Sequence, residues 1–218
     1  MPPSKSSPYR LLVEGPDDMH AILGLMTRHN YDWNDSKLVR PLVESAGGIS
    51  QLLDATNLSI GAKSHARMGL VLDMDLEAAQ RWQQVRDCFS NLGIKLPESP
   101  APEGTVVDIP HTPGLKVSKL GIWLMPDNLQ PGILEHFLGR LVPANDPCWA
   151  YAEEVTVKAR ALGGALAEKD HAKGRIHTWL AWQKDPGLPF GTALTARLLG
   201  HDSPEALAFV AWFRRLFL

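Results

Sequence analysis

Arg10-Leu11-Leu12-Val13-Glu14-Gly15-Pro16-Asp17-Asp18 is an apolar run that ends in a carboxylate, turns at glycine and proline, and resumes with further carboxylates. Tyr9 to Val13 is apolar and partly β-branched, Gly15-Pro16 breaks it, and Met19, Ile22, Leu23, Leu25 and Met26 then recur at helical spacing. The reading is strand, turn, helix. In an open α/β sheet ligands bind at the carboxyl ends of the strands, which places Glu14 at the lip of a crevice with Asp18 facing it.

A second run repeats the pattern. Arg67-Met68-Gly69-Leu70-Val71-Leu72-Asp73-Met74-Asp75 again ends in acid, and residues two apart on a strand point to the same side. Asp73 and Asp75 are therefore expected to present two carboxylates from one strand end. Carboxylates gathered at neighbouring strand ends repel unless a positive charge sits among them. A divalent metal is the simplest candidate, and all-oxygen ligation suits Mg²⁺ or Mn²⁺. The competing explanation is that aspartates after apolar strands cap the next helix.

Outward from these motifs, residues 37–44 read as another strand, and Gly47-Gly48 opens a helix through residue 58. Residues 76–92 carry Trp82, Val85, Cys88 and Phe89 at helical spacing. Residues 96–114 hold five prolines around Thr105-Val106-Val107-Asp108-Ile109, which predicts an irregular excursion with a short edge strand. Residues 119–126 are a further strand, followed by Asp127 and a helix over 132–141. Asp127 is either a further ligand or the cap of that helix. The alternation predicts an α/β fold: a parallel sheet with right-handed crossovers, flanked by helices. Residues 150–162, 168–184, 192–199 and 204–217 read as helices, with Ser203-Pro204 a good helix start. The expected organisation is a frayed polar end (1–8), an α/β core (9–146) and a C-terminal helical annex (147–218) that helps cover one side of the cleft.

With 44% hydrophobic and 21% charged residues, the chain has the composition of a soluble globular protein large enough for a sizeable core. No segment approaches the roughly 20 uninterrupted apolar residues of a membrane span. The polar, proline-rich start reads as a frayed end, and no secretory signal is expected there. Two cysteines, Cys88 and Cys148, suggest no disulfide framework, so a reducing cytoplasm is the expected location. The net charge of −2 hides an asymmetry: residues 1–154 hold 13 Lys+Arg against 19 Asp+Glu, and residues 155–218 hold 9 against 5. The basic part either touches phosphates or is ordinary solvated helix surface.

The ordered pair, Val13-Glu14-Gly15 at one strand end and Asp73-Met74-Asp75 at another, resembles the Toprim domain, the metal-binding module of topoisomerases, primases and some nucleases. Over residues 8–182 the wider pattern is most similar to the Toprim half of OLD-type nucleases and to small stand-alone relatives. The resemblance implies a Rossmann-like sheet. It also implies a role in the metal site for Glu135, within Leu134-Glu135-His136-Phe137-Leu138. Lys173, within His171-Ala172-Lys173-Gly174-Arg175, matches the lysine with which OLD-type nucleases stabilise the pentacovalent phosphate. Its spacing from Ile176, His177 and Leu180 puts it on the expected inward face of its helix.

The implied metal set is Glu14, Asp18, Asp73, Asp75 and Glu135, with Asp127 as a possible addition. Together these hold one or two Mg²⁺ or Mn²⁺ ions. The implied activity is hydrolysis of a phosphodiester in DNA or RNA, with Glu14 assisting proton transfer and Lys173 beside the phosphate. His171, Arg175 and His177 are candidate substrate contacts, although His171 also reads as a surface residue and His177 as a partly buried one bonded to a neighbour. No zinc spacing and no Gly-x-x-x-x-Gly-Lys-Ser/Thr occurs, so an ATPase would have to be a separate partner. A topoisomerase is disfavoured by the small tyrosine complement of Tyr9, Tyr31 and Tyr151. The rival function is a non-catalytic or partner-dependent component of a phage-defence or toxin system. Trp179, Trp182 and Trp212 are expected in the core.

Overall fold

The computed structural model describes residues 7–35, 37–75 and 78–218. Within them β1 (Tyr9–Val13), β2 (Leu42–Ser45), β3 (Arg67–Asp73), β4 (Thr105–Asp108) and β5 (Lys119–Met125) form one sheet in the order β2-β1-β3-β5-β4. β2, β1, β3 and β5 are parallel and β4 is antiparallel to β5. The proline-rich excursion thus supplies an edge strand. The result is an α/β fold with a mixed, mostly parallel sheet.

Both faces of the central strands are apolar, as a sheet covered on two sides requires. Leu11, Val13, Val71, Trp123 and Met125 point to one face, and Leu12, Leu70, Leu72, Ile122 and Leu124 to the other. The first face is covered by α1 (Pro16–Arg28), α5 (Leu134–Gly139), α7 (His171–Ala181), α8 (Phe190–Thr195) and α9 (Pro204–Phe217). The second is covered by α3 (Ala55–Ser64) and α4 (Ala78–Ser90), with Leu52 of α2 (Ile49–Leu52) completing it. α6 (Pro147–Ala161) packs outside, against α7.

Local chemistry sets the element ends. The single helix expected after Gly47-Gly48 is two, because the Asp54 carboxylate accepts a 2.8 Å bond from Asn57 N and caps α3 as a separate start. Ser203 caps α9, accepting from Ala206 N at 3.2 Å. The helix read over 76–92 covers Ala78–Ser90 among the described residues; Leu76 and Glu77 lie outside them, as do residues 1–6 of the expected frayed end. Residues 168–184 divide into a 3-10 turn (Glu168–Asp170) and α7.

The C-terminal helices belong to the core. Trp212, Phe213, Leu216 and Phe217 of α9 are 0–2% exposed, each burial contributing on the order of 1.5–3 kcal/mol. α9 lies close enough to the sheet that a Cβ on Gly121 would stand 2.5 Å from Leu216 Cδ2. Leu216 is fully buried and has no room to retreat. Of the tryptophans expected inside, Trp179 and Trp212 are buried, whereas Trp182 is 43% exposed at the end of α7 and stacks on Tyr151.

Chain direction at the sheet centre decides where a ligand fits. β1 runs through α1 to β2 on one side, and the chain then crosses the opposite face through α2 and α3 to β3 on the other side of β1. The loops leaving β1 and β3 therefore diverge, opening a crevice at their carboxyl ends. The register Val13↔Val71 brings Glu14 and Asp73 to that opening.

Because α9 needs glycine beneath it, Gly121→Val is expected to lower unfolding free energy by about 1–3 kcal/mol. In urea denaturation, combining it with Leu216→Ala should cost less than the two single losses summed, since the second change makes room for the first. Additive losses would show that α9 does not contact the sheet there.

Candidate active site

Glu14 directly follows β1 and Asp18 lies in the first turn of α1. Asp18 Oδ2 accepts from Gly15 N at 3.0 Å, closing the turn between them. Asp73 is the last residue of β3; its Oδ1 accepts from Leu134 N at 2.9 Å, while its own N–H donates to Glu14 Oε2 at 3.3 Å. One aspartate thus ties β1, β3 and the start of α5 together. Glu135, the next residue of α5, faces the same space. α7 packs on α5 and brings Lys173 opposite. Glu14, Asp18, Asp73, Glu135 and Lys173 line one cleft of about 390 Å³. Its floor is completed by Gly47 and Gly48, whose N–H groups donate to Glu14 O at 3.1 and 2.8 Å. Gly48 adopts φ 116°, a conformation that excludes side chains there.

Burial of like charges dominates the electrostatics. The Asp73 carboxyl is pushed up to about 8, first by desolvation and then by Asp18, Glu14 and Glu135. Asp18 rises to about 7 through desolvation, with the Gly15 N–H opposing and Glu14 adding to the rise. Desolvation also raises Glu14, against the Asp73 N–H, Arg81 and Lys173. Glu135 is raised by burial, against the charges of Lys173 and His177. Asp18 is 7% exposed, and its Oδ1 is buried without a hydrogen-bond partner. An orphaned carboxylate oxygen in a space lined by four other acids, Glu14, Asp17, Asp73 and Glu135, asks for a cation or a proton.

The remaining expected residues divide. Asp75 is not in the cleft lining. β3 ends at Asp73, so the two-residue alternation stops, and Asp75 turns to φ 56° with its carboxylate ion-paired to Arg81. It still acts electrostatically on Glu14. Asp127 stands apart, accepting from Leu129 N and Gln130 N at 3.0 and 2.8 Å and pairing with Arg140 at 2.6 Å. Burial raises its pKa, but these bonds hold it below the ordinary carboxylate range. It caps a turn after β5.

The inward face of α7 is Ile176, Trp179 and Leu180. The Lys173 side chain is instead 49% exposed at the cleft rim, 3.7 Å from Asp170. His177 is exposed and stacked on Phe190, rather than partly buried and bonded to a neighbour. His171 and Arg175 both pair with Glu153, and Arg175 also covers the Trp149 ring. Neither lines the cleft. Arg81, which sequence reasoning passed over, is the residue that claims Asp75. Its position six after the aspartate on an amphipathic helix carried no distinguishing signal.

The donor set is hard oxygen, and the orphaned Asp18 Oδ1 fits a divalent cation. Among the described residues no three His, Cys, Asp or Glu side chains stand in ion-holding geometry; the carboxylates are gathered but not closed around a point. A groove of about 390 Å³ between α1 and α8, lined by His20, Gly24 and Thr192, has the same volume and no acid. Chemistry, not size, singles out the acidic cleft.

Fold and site define an α/β protein with an acid-lined cleft at the switch point of its sheet. The chain belongs to DUF3226, a family described as a protein of unknown function, whose match spans residues 8–218. No curated protein and no solved structure matches it.

The raised carboxyls set a pH dependence. Asp18 and Asp73 hold protons in the folded protein at pH values where the unfolded chain, near 3.8, has released them. Their contribution to stability is therefore present below about pH 4 and is lost as pH rises through about 7–8. In chelator, Asp73→Asn should be more stable than wild type at pH 8.5, with the gap closing toward pH 5. A large stability loss at both values would mark Asp73 as a structural cap alone.

Proposed function

We propose that the protein is a Toprim-like, divalent-metal-dependent phosphodiester hydrolase acting on DNA or RNA. The observation that carries this reading is the convergence of Glu14, Asp18, Asp73 and Glu135 on one cleft with Lys173 opposite and Asp18 Oδ1 buried without a partner. Mg²⁺ or Mn²⁺ would be held by these four carboxylates. Bound there, the ion supplies charge neutralisation and polarisation of a phosphoryl oxygen.

The chain's own groups divide the remaining work. Lys173 places an ammonium at the rim, where the charge of a bound phosphate is met. Glu14 holds a proton more readily than a free glutamate because it is desolvated, the property wanted of a base that takes one from water near neutral pH. The Asp73 carboxylate, fixed by Leu134 N, keeps β3 and α5 in register so that Glu135 faces Asp18.

No helix among the described residues is long and apolar enough to cross a membrane. We propose a cytoplasmic location from the free thiols of Cys88 and Cys148, which a reducing compartment preserves. The alternative, a component that works only with a partner, is favoured by one observation: Lys173 is the lone cation among the described residues lining the cleft. Of the nine Lys and Arg of residues 155–218, Lys173 alone is in that lining; Arg175 and Arg160 pair with Glu153 and Glu168, and Arg214 and Arg215 bond to backbone carbonyls.

Supercoiled plasmid, linear duplex, single-stranded DNA and RNA, each incubated with Mg²⁺ and then Mn²⁺, separate the two. Cleavage of at least one substrate is expected. Glu14→Ala and Asp73→Asn should abolish it, and Lys173→Ala should slow it by about 10²–10³-fold. Intact metal binding with no cleavage of any substrate would sink the self-sufficient nuclease and leave the partner-dependent component.

A further inference from the structure

We propose that Arg81 is a tethered cation that withholds Asp75 from the acid cluster and so limits the cleft to one divalent ion. The inference rests on the metal-dependent reading of the site. Asp75 follows β3 but does not continue it: its N–H donates to Gly132 O at 3.0 Å and its φ is 56°. With its backbone held there, its carboxylate meets the guanidinium of Arg81, in the first turns of α4. The Arg81 side chain is 14% exposed, and a second nitrogen is anchored to Gln84 Oε1 at 2.9 Å. The guanidinium is positioned by its own helix, not loose in solvent.

Both charges lie within Coulombic reach of Glu14. A second divalent ion on the Asp75 side of Glu14 would meet a permanent positive charge already held there. Asp75 is already matched by Arg81. Arginine remains protonated throughout the working pH range, so the restraint does not titrate away.

Mn²⁺ binding, followed by calorimetry and by the loss of free-ion signal in electron paramagnetic resonance, reads the stoichiometry directly. Wild type is expected to bind one ion and Arg81→Gln two. Asp75→Asn should leave one ion bound, because Asp75 is not its ligand, and Arg81→Gln combined with Asp75→Asn should return the count from two to one. Two ions in the wild type, loss of the ion in Asp75→Asn, or one ion in a folded Arg81→Gln protein would each overturn the proposal. The first of these leaves the metal-dependent reading standing. Absence of any Mn²⁺ binding by the wild type would overturn both.

Discussion

Mutual repulsion among buried carboxylates is the constraint around which this structure is arranged. Asp18 and Asp73 are held so far from water, and so near each other and Glu14 and Glu135, that without a cation their carboxyls are pushed up to about 7 and about 8. Such a cluster costs stability, and only a rigid surround can hold it together. That surround is the sheet. β1 and β3 are hydrogen-bonded neighbours over five residue pairs, from Tyr9↔Arg67 to Val13↔Val71, and both faces of this pair are sealed by apolar side chains.

The hydrogen bonds of Asp73 show how local and tertiary structure share the task. Its side chain accepts from the first residue of α5 and its backbone donates to Glu14. One residue therefore aligns three elements and contributes to the acid cluster. Behind them, α9 drives its aromatic face into the sheet through the space left by Gly69 and Gly121. The C-terminal helices thus complete the hydrophobic layer under α1 and α5, and α7 carries Lys173 to the cleft rim. The helical region expected as an annex is part of the layer that fixes the site.

Much of this was legible in the residues. Apolar runs ending at Val13 and Asp73, each followed by helical spacing, identified β1 and β3 correctly, and the proline-rich stretch marked β4 as an edge. Glu14, Asp18 and Asp73 were readable because a strand end in a parallel sheet has one place to point. Period-two reasoning failed at Asp75, since it holds only while the strand continues. It failed at Lys173 and His177 for a related reason: α7 buries the face of Ile176, Trp179 and Leu180, and a helical repeat does not say which face a neighbouring helix will cover.

Sequence by itself determined the α/β class, the strand ends and the carboxylates that stand there, because hydrophobic periodicity and turn chemistry are local properties of the chain. Tertiary structure alone decided which of those carboxylates share a cleft. Arg81 claims Asp75, Arg140 claims Asp127, and Glu153 claims His171 and Arg175, all through contacts between separate elements or across loops. Ion pairing and desolvation depend on distances in space, and those are set only when the helices have settled on the sheet.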